Sequence, residues 1–318
     1  MRAHQIPGLS LGIASDNRAV YLTGYGHAHR PDRVAAADTV YRLASISKTF
    51  TAIAALQLAE RGVLDLDAPV QQYVPAFPVK QWPVSTRQLL GHLGGIRHYR
   101  GREALSTTHY TDLVAPLAIF STDPLQHQPG TRYLYSTYGY NLVGAAVEAA
   151  ARQRFAEYVR DHVFIPTGMR DAGIDDPTAL SPRLATGYDL RADGAMTEAP
   201  AFDATSKIPG GGFVATAEDL TSYAVAVMMN RLLRPDTTDA MWTAQSTTGG
   251  TRTGYGLGWE LGRWAGRATV SHAGSQPGVS TLLFLVPGRG CAVIVLANRG
   301  GVPGLPVLAR NIAEAACR

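Results

Sequence analysis

The 318-residue chain has two cysteines and three lysines. Cys291 and Cys317 are too few for a disulfide framework or a four-ligand zinc site. One bridge between them is compatible with the sequence, but the simpler reading is two free thiols, with Cys291 in a buried strand. Arginine supplies most of the 29 positive residues, which are scattered, and the formal charge is only +4. No basic run tracks a phosphate backbone, so nucleic acid is excluded as the expected partner despite the basic balance. No apolar run is long enough to span a bilayer. The opening "MRAHQIPGLSLGIAS" lacks the charged start, apolar stretch and cleavage site of a signal peptide. The expected location is cytoplasmic for the chain as written, or periplasmic or exported if an upstream segment belongs to it. The P-loop, G-x-G-x-x-G, G-x-S-x-G and H-E-x-x-H patterns are also missing. Phosphate cradles, α/β-hydrolase elbows and zincin sites are therefore not expected.

What is present is a folded composition, 46% hydrophobic and 17% charged, with 33 glycines for turns. "LSLGIAS" (8–14 with Gly8) and "AVYLTGYG" (19–26) flank a turn at 16–18 and read as a hairpin. "HAH" at 27–29 reads as a solvated turn. Helical pattern begins at Ser45, is apolar nearly all round and stops at Gly62. Further helices are expected over 141–153 and 155–164, and another begins at Thr216, where Asp219 completes a capping box. Strands are expected over 255–261, 267–274, 279–287 and 291–297, antiparallel because the links are short. "LPVLARNIAEAA" closes the chain as a helix. Strands at both ends and helices between predict an α+β fold, an antiparallel sheet flanked by helices with a mostly helical lobe inserted. The expected division is 1–66 with 207–318 for the sheet lobe and 67–206 for the helical lobe.

"YRLASISKTFTA" (41–52) carries the chemistry. Ser45 and Lys48 are three apart and share a helix face. A serine hydroxyl needs a base at neutral pH. A lysine can be that base only when burial or neighbouring positive charge lowers its pKa. Ser47 is the weaker nucleophile, because its neighbouring lysine points elsewhere. Taken alone, such a four-residue pattern reads first as a serine-capped helix with a solvated lysine.

Two later motifs, "YLYSTYGYNLVG" (133–144) and "SHAGSQPG" (271–278), follow in order. Together with "LASISKTF" they resemble the three-motif signature of the serine β-lactamase and penicillin-binding superfamily. "IPGLSLGI", "ERGVLDLDAPVQQYVP", "LLGHLGGIRHY", "GGGFVATAEDL" and "YGLGW" extend the likeness over about residues 6 to 299. The details resemble the class C branch, nearest in motif to the mitochondrial β-lactamase-like subgroup. The resemblance implies a serine hydrolase working through an acyl-enzyme, with no cofactor and no metal. It makes Ser45 the nucleophile, Lys48 its partner in proton transfer, and Tyr135 a general base if Lys48 holds it near phenolate. The backbone N–H groups of Ser45 and Ser275 would form the oxyanion hole. Thr137, His272, Ala273 and Gly274 would contact substrate from an edge strand, with Gly274 leaving room for it.

Thr137 stands where the family has Asn, and its shorter hydroxyl is expected to lose contact with Lys48 and with a substrate amide. His272 stands where β-lactamases often have Lys and carries less positive charge. Both point to an ester or peptide substrate with weak or no β-lactamase activity. The alternatives are a D-amino-acid peptidase of the DD-carboxypeptidase type, and a non-hydrolytic penicillin-recognising or filament-forming domain. The expected partner is a small-molecule or peptide substrate, and the resemblance is compatible with a homo-oligomer. His92 and His98 are expected to make structural hydrogen bonds. Gly210, Gly211 and Gly212 are expected to form a tight turn, with pocket lining the lesser reading.

Overall fold

The computed structural model describes residues 1–317. Its main sheet has seven antiparallel strands. Their spatial order is Arg33–Val34, Arg18–His29, Gly8–Ser15, Cys291–Ala297, Val279–Val286, Arg267–Gln276 and Glu260–Trp264. The first long strand and the last therefore lie side by side at the centre, with Leu9 opposite Ala297.

The central strand Cys291–Ala297 is buried on both faces, and its period of two divides the core. Cys291, Val293, Val295 and Ala297 face a layer with Leu9, Leu11, Leu282, Phe284 and the closing helix Leu305–Ala316. Ala292, Ile294 and Leu296 face the opposite layer, which holds the remaining helices. There the helix Ala217–Met228 packs on the sheet, started by the expected capping box between Thr216 and Asp219. The nearly all-buried helix Ser47–Glu60 packs against the helix Thr137–Ala151 and the short turn Ile208–Gly211. Among the described residues, no helix is long and apolar enough to cross a membrane.

Four expectations need correction. Cys291 and Cys317 are joined in a disulfide, with Cα atoms 5.9 Å apart, and are not free thiols. The closing helix lies on the sheet and returns Cys317 to the start of the strand that carries Cys291, a proximity that sequence spacing does not encode. Residues 27–29 lie inside the strand Arg18–His29, where His29 bonds Thr186. Residues 255–259 are an irregular buried segment, and the outer strand begins only at Glu260. Gly258 explains that break: its φ is +88°, and a Cβ there would sit 2.4 Å from the Ala52 Cβ. A helix is also interrupted: the segment expected over 155–164 is α-helical to Val159 and a π-helix over Arg160–Phe164.

Candidate active site

A small three-stranded sheet delivers Ser45. Tyr41–Arg42 pairs with Phe213–Ala215, and the Leu43 N–H continues the ladder to the Phe213 carbonyl at 2.9 Å. The chain then turns through Ala44, which has φ +48° despite its side chain, into a single 3-10 turn over Ala44–Ile46. Left-handed backbone at a non-glycine residue is uncommon and concentrates at functional sites. The helix proper starts at Ser47, and no side chain caps it. Ser45 is thus not a capping serine. Ser47 accepts a hydrogen bond from the Phe213 N–H and is structural.

Lys48 is fully buried one turn on. Its Nζ lies 3.0 Å from Ser45 Oγ, 3.2 Å from Thr137 Oγ1 and 2.5 Å from the Gly210 carbonyl oxygen. Burial lowers its pKa well below the ordinary lysine value, and the nearby charge of Lys207 lowers it further. A neutral amine has two N–H donors and one lone pair. With Gly210 and Thr137 taking those donors, the neutral form would leave its lone pair for the Ser45 hydroxyl. Thr137 therefore does contact Lys48, contrary to the expectation from its short side chain: helix packing brings its Cα close. Gly210 makes that packing feasible, because a Cβ there would lie 2.5 Å from the Thr137 Cγ2. The carbonyl of Gly210 is the site group that sequence reading missed. The triple glycine reads first as a turn, with pocket lining the lesser reading, and the contact to Lys48 was not foreseen.

Tyr135 immediately precedes the Ser136 cap of the Thr137–Ala151 helix. The Ser136 and Thr137 N–H groups donate to Nδ1 of His92 and His98, both at 3.2 Å, so these histidines tie the second motif in place. Burial raises the pKa of the Tyr135 phenol, only partly offset by the Ser45 hydroxyl. Lys48 sits over the Tyr135 ring face, 4.9 Å from its centroid. Burial therefore favours a neutral phenol, not the phenolate the resemblance suggested.

The third motif lies on Arg267–Gln276. Its outer neighbour pairs only as far as Ser271 with Glu260. Among the described residues no strand pairs with His272–Gln276 on that side, so this half is the free edge. Gly274 is needed for a different contact from the one expected. A Cβ there would lie 2.3 Å from the Leu43 carbonyl oxygen and 2.1 Å from Thr281 Oγ1, so it seats the strand on the Ser45 turn. Ser275 is thereby carried to the same turn, while Ala273 is exposed. His272 is buried. Its Nδ1–H donates to the Ala273 carbonyl, and its Nε2 accepts from the Tyr255 hydroxyl, both at 2.8 Å. Burial, followed by the charge of Lys48, lowers its pKa to about 3. It is therefore a neutral, fully bonded wall residue and offers no charge to a carboxylate. Tyr255, its partner, was also missed; "YGLGW" carried no signal for the role.

The fold defines a serine-hydrolase-type architecture. The Beta-lactamase family model matches residues 1–316, and the chain belongs to that family. It is 27% identical to the human serine beta-lactamase-like protein LACTB, mitochondrial, over 96% of this chain and 76% of that protein. The octameric penicillin-binding protein homologue of Pyrococcus abyssi superposes with a TM-score of 0.85 at 25% identity, over 99% of this chain and 74% of that one. The D-amino acid amidase of Ochrobactrum anthropi shares the fold, with a TM-score of 0.85 at 23% identity, over 99% of this chain and 95% of that one.

Proposed function

We propose that the chain hydrolyses esters or amides through an acyl-enzyme on Ser45, with Lys48 as the base. The supporting observation is the buried Lys48 amine, 3.0 Å from Ser45 Oγ, with its donors occupied elsewhere. Ser45 Oγ attacks the substrate carbonyl carbon while its proton passes to Lys48 Nζ. The oxyanion is held by the N–H groups of Ser45 and Ser275. When the bond to the leaving group breaks, that group takes the proton back, with the Tyr135 hydroxyl beside it as relay. Water then repeats the sequence on the acyl carbon and restores Ser45. The free edge at His272–Gln276 gives an extended acyl or peptide group a strand to lie along. Neutral His272 disfavours substrates that rely on a carboxylate grip at that wall, which supports esters and amides over β-lactams. Thr137 and His272 act by holding the machinery, and Ala273 offers the outward surface.

The test is mass spectrometry after exposure to an acylating ester, with p-nitrophenyl ester turnover alongside. A transient adduct on Ser45, and turnover lost in Ser45→Ala, are expected. Substantial turnover by that variant would defeat the reading, and a lasting adduct would favour a receptor. A base of lowered pKa must be unprotonated to act, so kcat/KM should rise with pH along one acid limb. That limb should not come from His272, which is already neutral above about 3.

A further inference from the structure

His92 is a buried histidine that the acyl-transfer scheme does not use. Its backbone is left-handed, with φ +58°, a conformation that residues with a side chain seldom adopt. Its ring is enclosed by tyrosines: the centroid lies 4.3 Å from that of Tyr135, 4.7 Å from that of Tyr255 and 5.3 Å from that of Tyr140. Its Nδ1 accepts from the Ser136 N–H at 3.2 Å, so the neutral ring carries its proton on Nε2. Nε2 is buried and has no hydrogen-bond partner among the described residues. A strained backbone and an unpaired buried polar atom both cost stability, and such costs concentrate where function needs a fixed geometry.

What the geometry secures is Tyr135. The His92 carbonyl accepts from the Leu134 N–H at 2.8 Å, just before it in sequence. Nδ1 accepts from the Ser136 N–H, just after it. The ring itself lies against the Tyr135 ring, tilted by 40°. With its left-handed backbone, one residue thus reaches the segment 134–136 with both its carbonyl and its ring nitrogen. It holds the backbone on both sides of Tyr135 and the side chain between them. The same ring lies against Tyr255, the donor to His272, and so spaces the second motif from the wall of the third.

We propose that His92 is a positioning residue for Tyr135, holding the phenol where it returns the proton to the leaving group. The inference rests on the acyl-enzyme reading above, in which Tyr135 is that relay. A p-nitrophenolate departs without a proton, whereas an alkoxide needs one. The test compares kcat/KM for a p-nitrophenyl ester and an alkyl ester of the same acid, so that only acylation differs. It uses the full chain carrying His92→Phe, His92→Gly, His92→Asn or Tyr135→Phe, with melting curves to confirm folding. The first variant keeps an aromatic ring but has no acceptor for the Ser136 N–H; the second suits the left-handed backbone and removes ring and acceptor together. In either, the alkyl ester should lose about tenfold or more beyond the loss on the p-nitrophenyl ester, as it should in Tyr135→Phe. His92→Asn tolerates the backbone and offers an amide oxygen in place of Nδ1, so it should recover most of that selective loss. Adding His92→Phe to Tyr135→Phe should bring no further selective loss. An equal loss on both esters in the folded His92 variants, or an additive double variant, would overturn the proposal while Tyr135→Phe keeps its selectivity. If Tyr135→Phe is itself unselective, the relay fails and the proposal fails with it. The acyl-enzyme reading fails separately, through retained activity in Ser45→Ala.

Discussion

The two faces of the sheet solve different problems. The outer layer is almost wholly apolar: Leu9, Leu11, Phe284, Val293 and Val295 under the closing helix, pinned by the Cys291–Cys317 bond. The inner layer buries Lys48, Thr137, His92, His272 and Lys207 among its apolar groups. Burying a polar group is costly unless it is bonded, and a buried charge costs more. On the proposed function, the inner layer accepts that cost because a dry lysine is a usable base. The outer layer supplies stability without chemistry. The contrast is one of division of labour across a single strand, Cys291–Ala297.

That division can be broken from either side. Lys48→Met should lower ester turnover on the order of 10³-fold, the scale of losing a general base. Its melting temperature should move less than that of the disulfide variant, since an apolar side chain fills a dry site well. Cys317→Ser is the mirror case. Opening that loop should cost about 2–4 kcal/mol of unfolding free energy in denaturant titrations, with kcat little changed. If it removed activity in the folded state, the two layers would not be independent. Tyr255→Phe sharpens the comparison within the inner layer. It leaves Nε2 of His272 without its donor, at about 1–3 kcal/mol, and should weaken turnover more modestly than Lys48→Met.

The Ser45–Lys48 contact was legible because helix periodicity fixes local spacing. Ser45 and Lys48 are one helical turn apart, and that alone puts one hydroxyl beside one amine. Strand alternation marked the sheet, and Thr216 with Asp219 marked a helix start. What escaped were contacts made between distant segments. The Gly210 carbonyl, the Tyr255–His272 bond and the disulfide are set by how elements pack, and a carbonyl has no residue identity to read. Gly274 was expected to leave room for substrate; what its bare backbone visibly admits is the Leu43 carbonyl. The apolar "YGLGW" read as strand because burial looks alike in strands and in loops pressed on a helix.

The central pairing of the sheet has a consequence for how the molecule is made. The Gly8 N–H bonds the Asn298 side chain at 2.7 Å across 290 positions of sequence, and Leu9 pairs with Ala297. During synthesis the first hairpin emerges long before its central partner exists. Its open flank must wait for the strand Cys291–Ala297, and contacts of such sequence separation form slowly. The strand that completes the sheet also seats both layers, so the Ser45 turn gains its last wall only once Cys291–Ala297 has been made.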